Sequence, residues 1–401
     1  MAASDPDRWS RVAVVVLDSV GIGAAPDAAD YGDQGSHTLA NTARAVGGLK
    51  LPNLGALGLG NLAGIEGVAP AAAPRASYGT MIERSAGKDT TTGHWELMGV
   101  ILDQPFATYP EGFPAEIVET FEREAGVRVI GNVVASGTEI IDRLGAEHCA
   151  SGAPILYTSA DSVFQLAAHE DVLDVEELYR ISQIARAMPQ LQDVGRVIAR
   201  PFTGTPGNFR RLSARRKDFS LEPSGPTLLD RLQEAGIATV GVGKIGNIFA
   251  GRGVARSLPT SGNPDGVART VQALREIERG LVFTNLIDFD QEYGHRNDAQ
   301  GYAGALEQFD RLLPELLAAV EPDGLLVLTA DHGNDPTTPS TDHSREQVPL
   351  LVYDPRRPGV ALGERQSFTD LAQTLAEVFG VPGFDHGQSF LATLLAGVIV
   401  N

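Results

Sequence analysis

Short apolar runs that alternate with amphipathic stretches constrain the fold of this chain more than any other feature of its sequence. The apolar runs cover residues 12–17, 238–242, 281–287, 325–329 and 348–353. Such runs are typical of strands buried on both faces of a parallel sheet. The amphipathic stretches with helical periodicity cover residues 227–235, 267–279, 302–320 and 368–379. Strands that alternate with helices predict βαβ units, and hence an α/β fold with a mostly parallel sheet and helices on both of its faces.

The middle of the chain, from about residue 104 to about residue 220, has a different pattern. Its predicted elements are strands at 127–130 and 155–157, helices at 114–125 and 175–187, and a Pro/Gly-rich run at 201–208. At 401 residues the chain is long enough for two domains. We therefore predict a core domain of residues 1–103 and 221–401, into which a smaller α+β domain of residues 104–220 is inserted.

Charged side chains follow closely after four of the predicted core strands. The carboxyl ends of parallel strands meet at one edge of the sheet, where ligands of such folds bind. These side chains are therefore candidates for a functional site. They are Asp18, Lys244, Asp288, Asp290 and Asp331.

Two segments at these strand ends combine carboxylates with histidine. The first holds Asp290 and His295, the second holds Asp331 and His332, and His343 follows eleven residues later. A mixed imidazole and carboxylate set suits Mn²⁺, Zn²⁺ or Fe²⁺, whereas oxygen ligands alone would favour Mg²⁺ or Ca²⁺. Surface turns whose Asp and Gly residues cap helices are the alternative. The recurrence of the pattern after separate strands favours a metal site.

A run of three threonines, Thr90 to Thr92, precedes an apolar helical stretch. Amide groups at a helix N-terminus point outward and favour an anion. A threonine N-cap is the alternative for this segment taken alone. A threonine that faces two metal ions would instead have a lowered hydroxyl pKa and could take part in phosphoryl transfer.

Several segments together resemble the phosphopentomutase family, which belongs to the alkaline phosphatase superfamily of metalloenzymes. They are residues 18–23, 87–96, 157–162, 197–202, 206–209, 285–298 and 329–343. The metal-binding segments alone would indicate only the superfamily, whereas Lys88-Asp-Thr-Thr-Thr-Gly-His-Trp-Glu96 with Thr158-Ser-Ala-Asp-Ser162 indicates the mutase. The resemblance runs from about residue 11 to the C-terminus, and it implies an alkaline-phosphatase-like α/β/α core with an inserted cap domain.

The resemblance also implies a set of site residues. Two Mn²⁺ ions, or other divalent ions, would each be held by three side chains: Asp18, Asp331 and His332 for one, and Asp290, His295 and His343 for the other. Thr90 would be the phosphorylated residue, and Asp161 of the inserted domain would contact the sugar.

A basic stretch supplies candidates for binding phosphate. Seven basic residues and no acidic ones lie between Arg196 and Lys217, in a chain whose formal net charge is −19. Arg196 and Arg200 flank a predicted strand and are expected to face a cleft, whereas for residues 210–217 a solvated loop or an inter-domain ion-pair surface is the favoured interpretation. Lys244 is a further phosphate candidate, with a simple turn lysine as the alternative. Guanidinium groups match phosphate oxygens bidentately.

The reaction implied by the resemblance interconverts ribose 1-phosphate and ribose 5-phosphate, and their 2-deoxy forms, through a 1,5-bisphosphate. The enzyme must begin phosphorylated, so a sugar bisphosphate primer such as glucose 1,6-bisphosphate is expected. A cap that excludes water would separate a mutase from a phosphatase. The alternatives are a cofactor-independent phosphoglycerate mutase, whose members use serine where this chain has Thr90, a phosphatase, and a non-catalytic metal-binding protein.

Composition limits the partners and the compartment. The acidic balance argues against a general nucleic-acid binder, which needs a basic face. The single cysteine, Cys149, cannot form an intramolecular disulfide, and the first eleven residues do not have the pattern of a secretory signal. The apolar tail at 390–400 is shorter than a membrane span and is predicted to be a buried helix. We expect a soluble cytoplasmic protein without membrane or nucleic-acid partners, as a monomer or small homo-oligomer.

Overall fold

The computed structural model describes residues 9–159 and 162–396. The chain divides into two compact units, residues 1–104 with 223–401 and residues 105–222. We call them the core unit and the inserted unit. The predicted contact residue Asp161 lies outside the described residues.

The helices and strands are numbered in chain order. The helices are α1 (Thr38–Val46), α2 (Pro52–Leu57), α3 (Thr90–Leu97), α4 (Ala115–Ala125), α5 (Gly137–Ser151), α6 (Val175–Ala187), α7 (Leu228–Glu234), α8 (Ile245–Ile248), α9 (Asn263–Glu276), α10 (Ala299–Val320), α11 (Thr369–Phe379) and α12 (Leu391–Leu395). The strands are β1 (Arg11–Leu17), β2 (Ser77–Met81), β3 (Ile130–Val134), β4 (Ile155–Thr158), β5 (Val163–His169), β6 (Arg196–Thr205), β7 (Asn208–Arg211), β8 (Lys217–Ser220), β9 (Ala238–Val242), β10 (Arg256–Leu258), β11 (Gly280–Leu286), β12 (Leu325–Thr329), β13 (Val348–Tyr353) and β14 (Ala361–Arg365).

The core unit is built on a mostly parallel sheet, as predicted. Its strands have the order β10-β9-β11-β1-β12-β13-β2-β14 among the described residues. The first five are mutually parallel, whereas β13 is antiparallel to both of its neighbours. The connection between β12 and β13, residues 330–347, contains no helix. Without a crossover element, a chain that returns to a neighbouring strand does so in the antiparallel direction.

Helices cover both faces of this sheet, which confirms the predicted α/β architecture. Successive side chains of a strand point to opposite faces, and β11 shows which helices lie on each. Thr284 of β11 hydrogen-bonds to Thr270 of α9, at 2.7 Å between hydroxyl oxygens. The next residue, Asn285, contacts His94 of α3, and Phe283 packs on Phe249 at the end of α8.

The inserted unit has its own sheet, with the strand order β3-β4-β5-β6-β7 and with β8 paired to β6 among the described residues. Apolar clusters lie on both of its faces: one includes Phe121 of α4 and Leu178 of α6, and the other includes Ile140 of α5 and Phe202 of β6. The inserted unit therefore has an apolar core of its own.

The sequence prediction was least accurate in the inserted unit. The predicted strand at 127–130 is wrong, because β3 covers Ile130–Val134. The register of β3 against β4 shifts between Gly131 and Val133, where Gly131 and Asn132 both have positive φ. Such a bulge breaks the alternation on which strand recognition depends. The Pro/Gly-rich run at 201–208 is the end of β6 and the turn into β7, and α5 was not predicted.

The described part of the chain contains no helix that is both long and apolar enough to cross a membrane. The predicted terminal helix at 390–400 corresponds to α12, which ends at Leu395, and residues 397–401 lie outside the described residues. The prediction that this helix is buried is wrong for most of α12, in which Leu394 is the buried residue.

Candidate active site

The sheet order explains why residues distant in sequence meet. Strands β11, β1 and β12 are adjacent and parallel, so their carboxyl ends lie side by side. Asp18 follows β1, Asp290 lies in a helical turn (Phe289–Tyr293) that follows β11, and Asp331 follows β12. All three side chains are almost completely buried at this edge of the sheet.

Asp290, His295 and His343 form one group of potential ligands. One ligand atom from each lies within 4.8 Å of the others. Nε2 of His295 is 3.1 Å from Oδ2 of Asp290, and Nε2 of His343 is 3.5 Å from Oδ1. Nδ1 of His295 lies 2.7 Å from the carbonyl oxygen of Thr341. Donation of the Nδ1 proton to that carbonyl leaves Nε2 available as a ligand.

Asp18, Asp290 and His332 form a second group with the same mutual spacing. Nε2 of His332 is 3.5 Å from Oδ1 of Asp18 and 3.3 Å from Oδ2 of Asp331. The set predicted from the family resemblance was Asp18, Asp331 and His332, whereas the structure groups Asp290 with Asp18 and His332. Asp290 thus reaches both groups, while Asp331 stands beside His332.

The charges of this cluster fit a divalent cation. Among the described residues, Oδ1 of the completely buried Asp18 accepts no hydrogen bond. Burial, reinforced by the carboxylates of Asp331 and Asp290, raises the pKa of Asp18 well above its usual value. Burial also opposes ionisation of Asp290, but the imidazoles of His343 and His295 hold its pKa well below normal. Carboxylates this close repel one another, and a bound cation would remove that penalty.

Thr90 is the first residue of α3 and lies beside this cluster. Its Oγ1 is 3.3 Å from Nε2 of His332. The N-cap is Asp89, not a threonine, because its side chain accepts from the amides of Thr91 and Thr92. Thr92 is also occupied, since its hydroxyl donates to the carbonyl of Asp89 at 2.8 Å. Of these three threonines, Thr90 is the one whose hydroxyl meets a candidate ligand.

Glycine at position 93 lets α3 approach the ligand segment closely. A Cβ atom built on Gly93 would lie 2.1 Å from the carbonyl oxygen of Asp331. Any larger residue would push α3, and Thr90 with it, away from His332. This contact explains why the threonine run is followed directly by a glycine.

Residues that the sequence prediction left out of the site hold the carboxylates in place. Nδ1 of His94 lies 2.8 Å from the carbonyl oxygen of Thr90 and 3.0 Å from Oδ2 of Asp331. Nε2 of His94 is 3.3 Å from the side-chain nitrogen Nδ2 of Asn285. The same nitrogen donates to Oδ2 of Asp18 at 2.7 Å. The spacing of His94 from Thr90 could have indicated that His94 belongs to the site, because a residue four positions after Thr90 lies on the same helix face.

The remaining predicted residues occupy separate positions. Lys244 follows β9, donates to Gln291 at 3.1 Å, and its ammonium group acts to lower the pKa of Asp18. Asp288 does not belong to the ligand cluster: it accepts from the amide of Asn263 at the start of α9.

Arg196 and Arg200 lie on β6 of the inserted unit. Arg200 is half-buried and donates through Nε and Nη2 to Oε1 of Gln165. Nη1 of Arg196 is 3.9 Å from Asp218, which is also paired with Arg216. The basic stretch is therefore partly neutralised by ion pairs within the inserted unit.

Comparison with known proteins gives a consistent result. The sequence model of the metalloenzyme superfamily matches residues 10–383. The phosphopentomutase of Anaeromyxobacter dehalogenans is 60% identical over 383 residues, which are 95% of this chain and 98% of that protein. The phosphopentomutases of Dictyoglomus thermophilum and Caldanaerobacter subterraneus are 56% and 55% identical, each over 96% of this chain and 99% and 98% of their own lengths.

Proposed function

The chain belongs to the metalloenzyme superfamily and, within it, to the phosphopentomutases, and from this we propose that it interconverts ribose 1-phosphate and ribose 5-phosphate and their 2-deoxy forms. Membership of this family makes it an isomerase. The proposal for the mechanism rests on the distance of 3.3 Å between Oγ1 of Thr90 and Nε2 of His332. A hydroxyl at a helix start, beside a cluster of buried carboxylates and imidazoles, is suited to carry a phosphoryl group.

The proposed reaction has two phosphoryl transfers. Phosphorylated Thr90 gives its phosphoryl group to the free hydroxyl of the pentose phosphate, so the bond from phosphorus to Thr90 Oγ1 breaks and a bond to the sugar oxygen forms. The sugar hydroxyl loses its proton and Thr90 ends as a hydroxyl. The resulting 1,5-bisphosphate then returns its other phosphoryl group to Thr90. A sugar bisphosphate such as glucose 1,6-bisphosphate would supply the first phosphoryl group.

The metal ligands are part of the proposal. Two divalent ions, which the family resemblance suggests are Mn²⁺, would be held by Asp290, His295 and His343 and by Asp18, Asp331 and His332. Bound there, such ions would lower the pKa of the Thr90 hydroxyl and stabilise charge on the phosphoryl oxygens. Asp290 also groups by spacing with Asp18 and His332, so the two positions are expected to share it.

The chain's own residues orient the reacting atoms. The N-cap interactions of Asp89 begin α3 at Thr90, and His94 ties the carbonyl of Thr90 to the carboxylate of Asp331. Much of catalysis in phosphoryl transfer is such positioning. We assign contact with the sugar phosphate to Lys244, Arg196, Arg200 and Asp161. The exclusion of water by the inserted unit, the cytoplasmic location and the oligomeric state stay predictions.

A coupled assay tests this function. The protein is incubated with Mn²⁺, a trace of glucose 1,6-bisphosphate and ribose 1-phosphate, while ribose 5-phosphate and inorganic phosphate are followed together. Ribose 5-phosphate without inorganic phosphate, lost in T90A, is the expected result. Inorganic phosphate as the main product would favour a phosphatase. Metal binding without any phosphoryl transfer would instead favour the alternative of a non-catalytic metal-binding protein.

A further inference from the structure

The loop between β2 and α3 places Thr90, yet it has no regular secondary structure between Glu83 and Lys88. We call these residues the 83–88 loop. Such a segment has no ladder of its own, so its position depends on the groups that bond to its main chain. Two buried side chains from elsewhere in the core unit, Arg345 and Glu96, supply most of those bonds, and the amide of Ala86 donates to the carbonyl of Leu102 at 2.8 Å.

Arg345 bonds to the carbonyl groups of the loop. Its Nη1 donates to the carbonyls of Ser85, at 2.9 Å, and Gly87, at 2.5 Å, and its Nη2 donates to the carbonyl of Glu83 at 2.6 Å. Nη1 also pairs with the Glu83 carboxylate at 2.8 Å. The arginine is 2% exposed, so these bonds do not compete with bulk water.

Glu96 bonds to the amide groups of the same loop. Its carboxylate accepts from the amides of Arg84 and Ser85, and on its other side from the hydroxyl of Ser367 and the amide of Phe368. Glu96 is itself in α3, six residues after Thr90. The carbonyls of Glu83, Ser85 and Gly87 are therefore held by Arg345, and the amides of Arg84 and Ser85 by Glu96.

Arg345 is in turn fixed from the side away from the loop. Its Nε and Nη2 donate to the carboxylate of Asp27. Its main-chain amide donates to Asp33, at 2.8 Å, and Asp33 also pairs with Lys88 of the loop at 3.0 Å. Because Arg345 follows His343 by two residues, one short segment carries both a candidate metal ligand and the arginine that bonds to the carbonyls of the 83–88 loop.

We propose that Arg345 is a positioning residue for phosphoryl transfer, which sets the location of Thr90 relative to His332 and His343 by holding the 83–88 loop. This inference rests on the proposed function. The five N–H groups of one arginine form a rigid fork that reaches three carbonyls and two carboxylates. The two hydrogens of Nη1 are shared among the carbonyls of Ser85 and Gly87 and the carboxylate of Glu83. A lysine could keep the charge opposite Glu83 and Asp27 but could not reach the same set of carbonyls.

The test compares R345K with the wild-type protein and with R252K. Arg252 is a matched control, because its guanidinium also holds a carboxylate and a main-chain carbonyl, those of Asp230 and Pro223. For each protein, kcat and KM are measured with ribose 5-phosphate, Mn²⁺ binding is measured by calorimetry, and phosphate on Thr90 is measured by intact mass after incubation with glucose 1,6-bisphosphate.

For R345K we expect kcat to fall about 100-fold, since a misplacement of about 1 Å has that effect on a positioned reaction. KM and Mn²⁺ affinity should stay at their wild-type values, and phosphate should accumulate on Thr90 more slowly. R252K should match the wild type in all four measurements. A wild-type kcat in R345K would overturn the proposal, and so would a loss of Mn²⁺ affinity in parallel with kcat.

A second variant decides the question if R345K does not fold. D27N removes the charged partner of Arg345 on the side away from the loop, and the Asp27 side chain is 40% exposed, so this change should be tolerated. For D27N we expect a smaller drop in kcat than for R345K, at constant KM. An unchanged kcat would refute the proposal that Arg345 positions Thr90 by holding the 83–88 loop. A wild-type protein with neither mutase activity nor phosphate on Thr90 would instead refute the proposed function itself.

Discussion

Thr90 and His332 are 242 residues apart in sequence, and their side chains meet at 3.3 Å between Oγ1 and Nε2. Thr90 begins α3, which precedes the inserted unit in the sequence, whereas His332 follows β12, which comes after the inserted unit. The contact joins the candidate nucleophile to the candidate metal ligands. The predictions that follow test different parts of this arrangement.

Replacement of Thr90 should separate catalysis from metal binding. T90A removes the hydroxyl that we assign to phosphoryl transfer, so mutase activity should fall at least about 10³-fold, as when other enzymes lose a nucleophile. Mn²⁺ binding, measured by calorimetry, should persist. T91A is the matched control and should retain most of the activity. Full activity in T90A would assign the phosphoryl group to another residue.

Divalent ions should stabilise the fold. Binding to the folded state alone adds about 3 kcal/mol of stability when the free ion is 100-fold above its dissociation constant. Chelation should therefore lower the melting temperature and abolish mutase activity, and added Mn²⁺ should restore both. Thermal unfolding with and without Mn²⁺ is the measurement. A melting temperature indifferent to Mn²⁺ would show that the cluster does not hold the ion.

His94 and Asn285 should act as one unit in metal binding. Partners of this kind, which orient a ligand, typically change metal affinity 10- to 100-fold when removed, so H94A and N285A should each weaken Mn²⁺ binding by about that factor. Because the two side chains contact each other and link Asp331 to Asp18, the double variant should lose less than the sum of the single losses. Strict additivity, measured by calorimetry on all four proteins, would contradict the linkage.

Glu346 should make stability depend on pH. Burial raises the pKa of its carboxyl to about 7, although the amide and hydroxyl of Thr38 and the hydroxyl of Ser344 donate to it. The folded protein then binds a proton between about pH 4.5 and pH 7 that the unfolded chain releases, so this contribution to stability is present at low pH and is lost as pH rises.

The matched variant for this prediction is E346Q, which cannot ionise. Relative to E346Q, the wild-type free energy of unfolding should decrease by about 2.5 kcal/mol between pH 5 and pH 8. Denaturant unfolding of the metal-free proteins at both pH values measures the difference. Parallel pH profiles for the two proteins would mean that Glu346 is ionised throughout this range.

The fold of the core unit was largely predictable because its strands are buried on both faces. Runs such as 238–242 and 325–329 coincide with β9 and β12. Such burial makes a strand apolar along its whole length, which is a local property of the sequence. The direction of β13 was not predictable in this way, since it depends on the absence of a helix in the preceding connection.

The site was predictable only in part, for a related reason. The residues after each strand could be identified locally, but their partners could not. The involvement of His94 depends on Asn285 and Asp331, which are 191 and 237 residues further along the chain. His94 had one local signal, its position four residues after Thr90 on the same helix face, but its partners Asn285 and Asp331 needed the folded chain. Arg345 gave no local signal, because its bonds go to a loop about 260 residues earlier.

Among the described residues, Asp290 is the one side chain that belongs to both groups of candidate ligands. The two proposed ion positions would therefore share a ligand, and an ion bound at one position would change the charge that an ion at the other position experiences. Filling should be cooperative or anticooperative, with a titration curve that departs from two identical and separate sites. A substitution at Asp290 should therefore weaken ion binding at both positions. The loss of His295 should weaken ion binding mainly at the position that His295 would share with Asp290 and His343.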